Sequence, residues 1–234
     1  MRENLYRSYS LRGTELALLL ASEDKNEIRS FGFVDGSETK EDYLYAVDHM
    51  VKQGVALREG DGLVVQEPYK EMIRGIRNAK AVITVRSFDD EYSDYCIYRG
   101  ESDKVIVLSM SSVRRNCILL TCMDPDDMTD VFLPDGLLPD ELPDCEDPDD
   151  IDESAFGCIL DEFLNRRDIT DIRFIVGADE FDTETAEHRT VIVMNLPGGM
   201  YTVRYNDDGA VADIYDKEAF ALEMTRMFKG EEVL

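Results

Sequence analysis

Histidine, tryptophan and positive charge are the scarcest features of this sequence. Its 234 residues include two histidines, no tryptophan, and 25 Lys and Arg against 51 Asp and Glu, which gives a formal charge of −26. Such a charge repels the phosphates of nucleic acids, so we expect no nucleic-acid partner. A serine or cysteine nucleophile normally needs an adjacent base, and the sequence offers His49 and His188 alone. We interpret His49 as a solvated helix residue and His188 as a loop residue, and we predict no catalytic residues.

Long apolar runs and paired cysteine motifs are also missing. No apolar run approaches the roughly 20 residues that a membrane helix needs, and the first four residues do not resemble the start of a signal peptide. We therefore expect a cytoplasmic chain with no membrane partner. The odd number of cysteines and the lack of a CxxC pair indicate reduced thiols. Cys117 and Cys122 lie an odd number of positions apart on one predicted strand, which favours core residues over a redox pair.

Metal and nucleotide motifs are incomplete. Asp124, Asp126 and Asp130 have the spacing of a calcium loop, but Met128 occupies the next ligand position and no glycine follows at the bend. These residues are therefore predicted to form a solvated turn. Cysteine and histidine never cluster as zinc requires, and neither a GxxxxGK[ST] loop nor a GxGxxG after a strand is present. We predict no metal site and no cofactor.

The acidic residues are concentrated in one stretch. Residues 124–153 contain 14 acidic and no basic side chains, together with five of the seven prolines. Proline removes backbone donors and dense like charge repels itself, so residues 134–153 are predicted to form an exposed loop. Within the stretch, residues 129–133 are apolar enough to join a sheet as a strand.

The first eighty residues show helical periodicity interrupted by one hairpin. Residues 11–22 are apolar nearly all round, which predicts a buried helix. Thr39 and Asp42 have the spacing of a capping box and begin a second helix that extends to Gly54. A hairpin at 55–66 follows, and Pro68 opens a third helix. Helices with a β-hairpin predict a winged-helix-like part.

From residue 81 the hydrophobic period changes to that of strands. Strands are predicted at 81–86, 95–99, 104–110, 116–122, 172–176, 190–196, 200–206 and 210–215, with helices at 154–166 and after Asp216. This order predicts an α+β fold: a helical part (1–80), a first antiparallel meander (81–133), an acidic proline-rich loop (134–153), and a second part with helix, meander and C-terminal helix (154–234). Residues 104–108 and 190–194 look like copies of one pattern. Both a pseudo-twofold repeat and a chance similarity fit that likeness.

The strand patterns also predict which faces are covered. The consecutive apolar residues at 105–108 and 191–194 indicate strands covered on both faces. In contrast, Tyr201, Val203 and Tyr205 alternate with Thr202 and Arg204, so one face of this half-exposed aromatic strand is predicted to meet solvent or a partner. The loop 111–116 contains Val113 beside Arg114 and Arg115, which offer charges to a partner's carboxylates. A solvated turn is the alternative for these two arginines. These six residues are the predicted partner-binding residues.

With these elements in place, the chain resembles the EspG-type chaperones of type VII (ESX) secretion. The resemblance rests on the early leucine-rich helix, the helix 43–52 followed by Gly54, the helix 69–76, and the long meander of 81–133. It implies a cytosolic, non-enzymatic protein with a pseudo-symmetric α+β fold that holds a helical-hairpin secretion substrate before export. The acidic loop and the smaller size depart from that family.

Together, these observations predict a non-catalytic protein-binding module, an adaptor or chaperone, with another protein as its partner. Two other classes stay open. The winged-helix pattern is compatible with a transcriptional regulator, although the acidic hairpin tip would repel DNA. The abundant carboxylates are compatible with a hydrolase that uses paired acids, although their number alone is no sign of one.

Overall fold

The computed structural model describes residues 8–21, 39–60, 62–87, 94–111, 117–132, 172–180, 188–196, 199–206 and 209–231. The chain forms two compact units. The first consists of Met1–Val82 and Tyr95–Pro125, and the second of Ile83–Asp94 and Asp126–Leu234. The predicted α+β class with antiparallel strands is confirmed. The division at residues 80, 133 and 153 stays a prediction, and the segments predicted as a loop at 134–153 and a helix at 154–166 lie outside the described residues.

The described elements follow one another in this chain order: β1 (Ser8–Arg12), α1 (Gly13–Ala21), α2 (Lys40–Lys52), β2 (Ala56–Glu59), β3 (Gly62–Val65), α3 (Tyr69–Arg77), β4 (Ala81–Ser87), β5 (Tyr95–Arg99), β6 (Val105–Met110), β7 (Cys117–Met123), α4 (Pro125–Phe132), β8 (Ile172–Glu180), β9 (His188–Leu196), β10 (Gly199–Asn206), β11 (Gly209–Ile214) and α5 (Lys217–Lys229).

The strands of the first unit lie in the order β1-β7-β6-β5, each antiparallel to its neighbour. Strand β1 was not predicted. Leu11, which was expected to begin the first helix, lies instead opposite Ile118 in the sheet. The helix begins later, at Gly13, and the Glu15 carboxylate in its first turn accepts a hydrogen bond of 2.8 Å from the backbone N–H of Arg12. This bond satisfies a donor at the junction of strand and helix.

Three helices pack on one apolar cluster of the first unit. The capping box of α2 is confirmed, because Thr39 accepts from the N–H of Asp42 while Asp42 accepts from the N–H of Thr39. The predicted third helix is also confirmed, with Met72, Ile73 and Ile76 buried. The cluster combines side chains of α1, α2 and α3 with one face of the strands: Leu11, Leu16, Leu19, Leu20, Met50, Val55, Ala56, Met72, Ile73, Ile76, Val82, Cys96, Tyr98, Ile106, Leu108, Ile118 and Leu120.

The hairpin of the first unit is present as predicted, but the winged-helix interpretation is not confirmed. Strands β2 and β3 pair antiparallel as a separate two-stranded sheet, and Gly60 adopts a φ of 59° in their turn. A positive φ is favourable for glycine because it has no Cβ. The hairpin stands between α2 and α3, as the sequence predicts, and this order by itself does not establish a winged helix.

The strands of the second unit lie in the order β4-β8-β9-β10-β11. Strands β8 to β11 form antiparallel pairs with their neighbours. The predicted C-terminal helix is confirmed as α5. Asp216 caps it by accepting from the N–H of Ala219 at 2.6 Å, and Gly230 ends it with a φ of 74°. Its buried face carries the four apolar residues expected, Phe220, Met224, Met227 and Phe228.

The strand predicted at 129–133 is wrong, because Pro125–Phe132 forms helix α4. Proline is favourable at the first position of a helix, and Asp126 and Asp127 lie in the first turn, where negative charge interacts favourably with the helix dipole. Asp126 also forms an ion pair with Lys229 of α5. The corresponding element of the second meander is strand β11, so the proposed repeat is not confirmed.

The prediction that two strands are covered on both faces is confirmed. All side chains from Val105 to Leu108 in β6 and from Val191 to Met194 in β9 are buried. A run of consecutive apolar residues places side chains on both faces of a sheet, and each face then needs a cover.

Candidate protein-binding surface

The predicted aromatic face of β10 is open only at its end. Tyr201 and Val203 are fully buried, whereas Tyr205 is 42% exposed. Of these three side chains, Tyr205 alone is exposed, and the role of all three in binding a partner stays a prediction. Alternation along a strand establishes which side chains share a face, but it does not establish whether that face is covered. Tyr205 is the member of this set that a partner could reach.

The opposite face of β10 contains a charged cluster that was not predicted from the sequence. Arg204 binds Glu223 of α5 through two hydrogen bonds, with Nε 2.8 Å from Oε1 and Nη2 2.7 Å from Oε2. It also bonds Asp213, the residue opposite Thr202 on β11. These bonds join two strands and a helix of the second unit.

The burial of this cluster makes its pairing important. Glu223 is 6% exposed, so an ionised carboxylate at this position requires a partner. The hydrogen bonds with Glu223 hold the pKa of the Arg204 guanidinium above its ordinary value, against the opposing effect of partial burial. The sequence did contain a signal for this pair. Arg204 occupies a polar position in the alternation of β10, and Glu223 stands among the apolar residues that form the buried face of the next helix.

The strand beside β10 exposes apolar side chains on both of its faces. Val211 is 61% exposed and lies opposite Arg204, whereas Ile214 is 44% exposed and lies opposite Tyr201. Tyr205 and Ile214 therefore share one face of the hairpin, and Val211 lies on the other. The hairpin of β10 and β11 therefore exposes more apolar surface than was predicted from the sequence, because the prediction considered β10 alone.

The other predicted binding residues cannot be placed in the same way. Val113, Arg114 and Arg115 lie outside the described residues. Their role in binding a partner stays a prediction.

His49 is a half-buried residue with a partner, and the prediction of a solvated histidine is wrong. Its Nδ1 lies 2.5 Å from Oε1 of Glu15, whose side chain is 2% exposed. The carboxylate of Glu15 thus bonds both the ring of His49 in α2 and the backbone of Arg12. Glu15 was not singled out because it stands in an otherwise leucine-rich helix. A charged residue in such a helix was the available signal, since a buried charge must be paired.

The remaining polar candidates take structural positions. His188 begins strand β9 opposite Asp179, so its prediction as a loop residue is wrong. Cys96, Cys117 and Cys122 carry reduced thiols, and burial raises the pKa of Cys122. The predicted turn at Asp124, Asp126 and Asp130 is largely helix α4. Among the described residues, no group of three or more His, Cys, Asp or Glu is arranged to hold a metal ion.

None of the helices within the described ranges combines the length and the apolar character that a membrane span requires.

Comparison with known proteins gives a likeness of fold. No protein-family profile and no curated protein matches this sequence. Among solved structures, the chain is similar to a chaperone of the type VII secretion system. That structure is Mycobacterium tuberculosis EspG5 in complex with a PE25–PPE41 dimer, with a TM-score of 0.58 over 97% of each chain and 12% sequence identity. At this identity the similarity shows a shared fold.

Proposed function

We propose that this chain is a non-catalytic protein-binding module that acts as an adaptor or chaperone for another protein in the cytoplasm, before export by a type VII secretion system. The observation that carries the proposal is the likeness to EspG5, which covers 97% of both chains and therefore includes both units. The structure of EspG5 was solved together with a protein dimer, which supports a protein as the partner of this chain as well.

The proposed partner is a helical-hairpin secretion substrate. We place Tyr205 among its contact residues because this side chain is exposed and belongs to the predicted aromatic face. Val113, Arg114 and Arg115 are proposed as further contacts on the strength of the sequence. Tyr201 and Val203, which are buried, would support Tyr205 from within the core.

The two alternative functions receive no specific support from the described residues. A winged-helix regulator would present its hairpin to phosphates, but Glu59 ends β2 next to the turn and is exposed. Negative charge at this position repels DNA. The hydrolase alternative also stays a prediction, because it still rests on the number of carboxylates alone.

The test of the proposal is recovery of the chain with its partner from the native host. The tagged full chain is purified under mild salt, and the proteins that accompany it are identified and quantified. We expect one small helical secretion-type protein in near-stoichiometric amount. Recovery of the chain alone at every expression level, or of DNA with it, would contradict the proposal.

A pair of tyrosine substitutions makes the test specific. Tyr205→Ser should lower the yield of the partner, whereas Tyr45→Ser should not, although Tyr45 is even more exposed, at 62%. Tyr45 lies on α2 in the first unit and is not one of the predicted binding residues. Equal loss in both variants would point to general surface hydrophobicity instead of a defined contact.

A further inference from the structure

Strand β11 stands at the end of the strand order of the second unit. The backbone N–H of Tyr215, directly after this strand, donates to the carbonyl of Met200 in β10 at 2.9 Å. In an antiparallel pair, hydrogen-bonded and non-hydrogen-bonded positions alternate. The backbone groups of Val211 and Asp213 therefore point towards β10, and those of Ala210, Ala212 and Ile214 point away from it. Within the described strands, no neighbour follows on that outer side.

The outer edge lacks the features that usually protect such strands. Exposed edges normally carry lysines, prolines or bulges, which prevent pairing with another chain. The register of β10 and β11 runs without a shift from Tyr201 opposite Ile214 to Asn206 opposite Gly209. The one charged side chain of β11 is Asp213, and Arg204 binds it. Val211 and Ile214, both exposed, add apolar surface on the two faces.

The charge around this edge favours one kind of occupant. Asp216 and Glu218 are exposed at the start of α5, with Lys217 between them, and the chain as a whole carries a charge of −26. Two copies of the chain would bring these carboxylates together, which costs free energy. A segment with basic residues would instead be attracted to these carboxylates, because opposite charges lower the free energy of the complex.

We propose that the outer edge of β11 binds an extended segment of another protein as an added antiparallel strand, and that this segment has an apolar centre flanked by Lys or Arg. The proposal rests on the proposed protein-binding function and concerns an extended segment of the partner that lies outside its helical hairpin. Main-chain hydrogen bonds from Ala212 and its outward-facing neighbours hold the segment. Val211 and Ile214 pack against its apolar centre, and the exposed acids next to the strand bind its basic ends.

The test uses the full chain and a synthetic peptide with a Thr-Val-Ile-Val-Thr centre between pairs of lysines. Binding is measured by fluorescence anisotropy at low salt. We expect the peptide to bind, and the same peptide with glutamates in place of the lysines to bind at least about tenfold more weakly. A peptide methylated on the backbone nitrogen of every residue of its Thr-Val-Ile-Val-Thr centre should bind weakly too, because neither edge of that strand then carries donors for the added ladder.

Two variants of the chain locate the site. Ala212→Pro removes an outward-facing N–H and leaves the bonds between β10 and β11 in place, so it should weaken peptide binding about tenfold or more. Val211→Lys adds an edge charge and should have a similar effect. Leu44→Lys is the matched control, because Leu44, at 62%, is as exposed as Val211 but lies on α2 of the first unit. The affinity of this variant for the peptide should not change. Circular dichroism checks that each variant is folded.

Three results would overturn the inference. These are no binding of the lysine-flanked peptide, binding that is insensitive to Ala212→Pro and to peptide methylation, and a chain that dimerises in solution through β11, with the dimer lost in Val211→Lys. Methylation acts on the peptide, so the test remains valid even if Ala212→Pro does not fold. If the native-host partner is retained by Val211→Lys while the peptide results fail, the proposed function stands and this binding mode is wrong.

Discussion

At the scale of single residues, Glu15 and His49 show how one buried carboxylate connects separate elements. Glu15 is nearly inaccessible, and its two oxygens bond the backbone of Arg12 and the ring of His49. Removing the charge of such a group leaves its former partners incompletely bonded. The pair therefore fixes both the start of α1 and the position of α2 against it.

Replacing Glu15 tests this connection. Glu15→Gln should lower the free energy of unfolding by about 1–3 kcal/mol, measured by urea denaturation, because the charge-assisted bond to His49 is lost. Glu59→Gln is the control, since Glu59 is exposed at the end of β2, and it should leave the stability unchanged. A loss for Glu59→Gln as large as that for Glu15→Gln would show that the buried pair is not the cause.

Arg204 is the second residue with a distinct energetic role. Arg204→Met leaves the buried Glu223 without its cation and should cost about 3–5 kcal/mol of unfolding free energy. The double variant Arg204→Met with Glu223→Met removes both charges and should recover part of this loss. Lys52→Met breaks an exposed pair with Asp48 and should change little. If the double variant is less stable than Arg204→Met, the unpaired charge is not the origin of the loss.

At the scale of elements, helix α3 contains a glycine whose position is explained by packing. A Cβ at Gly75 would lie 2.9 Å from Cγ1 of Ile106 in β6. A glycine within a helix is unfavourable by about 1 kcal/mol relative to alanine, so helix propensity alone does not account for it. The close approach of α3 to β6 does.

Substitutions at this contact should be coupled. Gly75→Val should destabilise the chain by about 2 kcal/mol or more through overpacking. Ile106→Ala alone should also destabilise it, but the two changes together should cost less than their sum, because the new side chain fills the space that Ile106 leaves. Thermal or urea unfolding of the four proteins gives the coupling energy. Simple additivity would contradict the contact.

The capping box of α2 predicts a pH dependence. Hydrogen bonds from Thr39 lower the pKa of Asp42 below its ordinary value of 3.8. A group with a lowered pKa stabilises the folded state above the ordinary pKa, and this contribution is lost as the pH falls through the folded pKa. The stability difference between the wild type and Asp42→Asn should thus be present at neutral pH and shrink below about pH 4. The stability difference between the wild type and Thr39→Ala should shrink in the same way. A difference that does not depend on pH would exclude this mechanism.

At the scale of the whole molecule, the excess of negative charge is the dominant property. A charge of −26 on 234 residues opposes compaction through self-repulsion. Raising the salt from about 20 to about 200 mM NaCl shortens the range of this repulsion. We expect the midpoint of thermal unfolding to rise by a few degrees, and KCl to act like NaCl. A constant or falling midpoint would show that specific ion pairs outweigh the repulsion.

Much of the fold followed from local patterns. The capping residues Thr39 and Asp216 and the apolar runs of β6 and β9 were correctly interpreted, because caps and periodicity act within a few residues of the chain. The errors occurred where distant contacts decide. Leu11 lies in β1 because Ile118 lies opposite it, and 125–132 is helical although its later part has the composition of a strand.

The candidate site was predicted in part for the same reason. The sequence by itself determined that β10 alternates, that the chain is acidic, and that Asp216 starts the last helix. Only the tertiary structure decided that Tyr201 and Val203 are covered while Tyr205 and Val211 are exposed. Burial depends on which segments from elsewhere in the chain lie over a face, and the residues of the strand itself do not determine which segments those are.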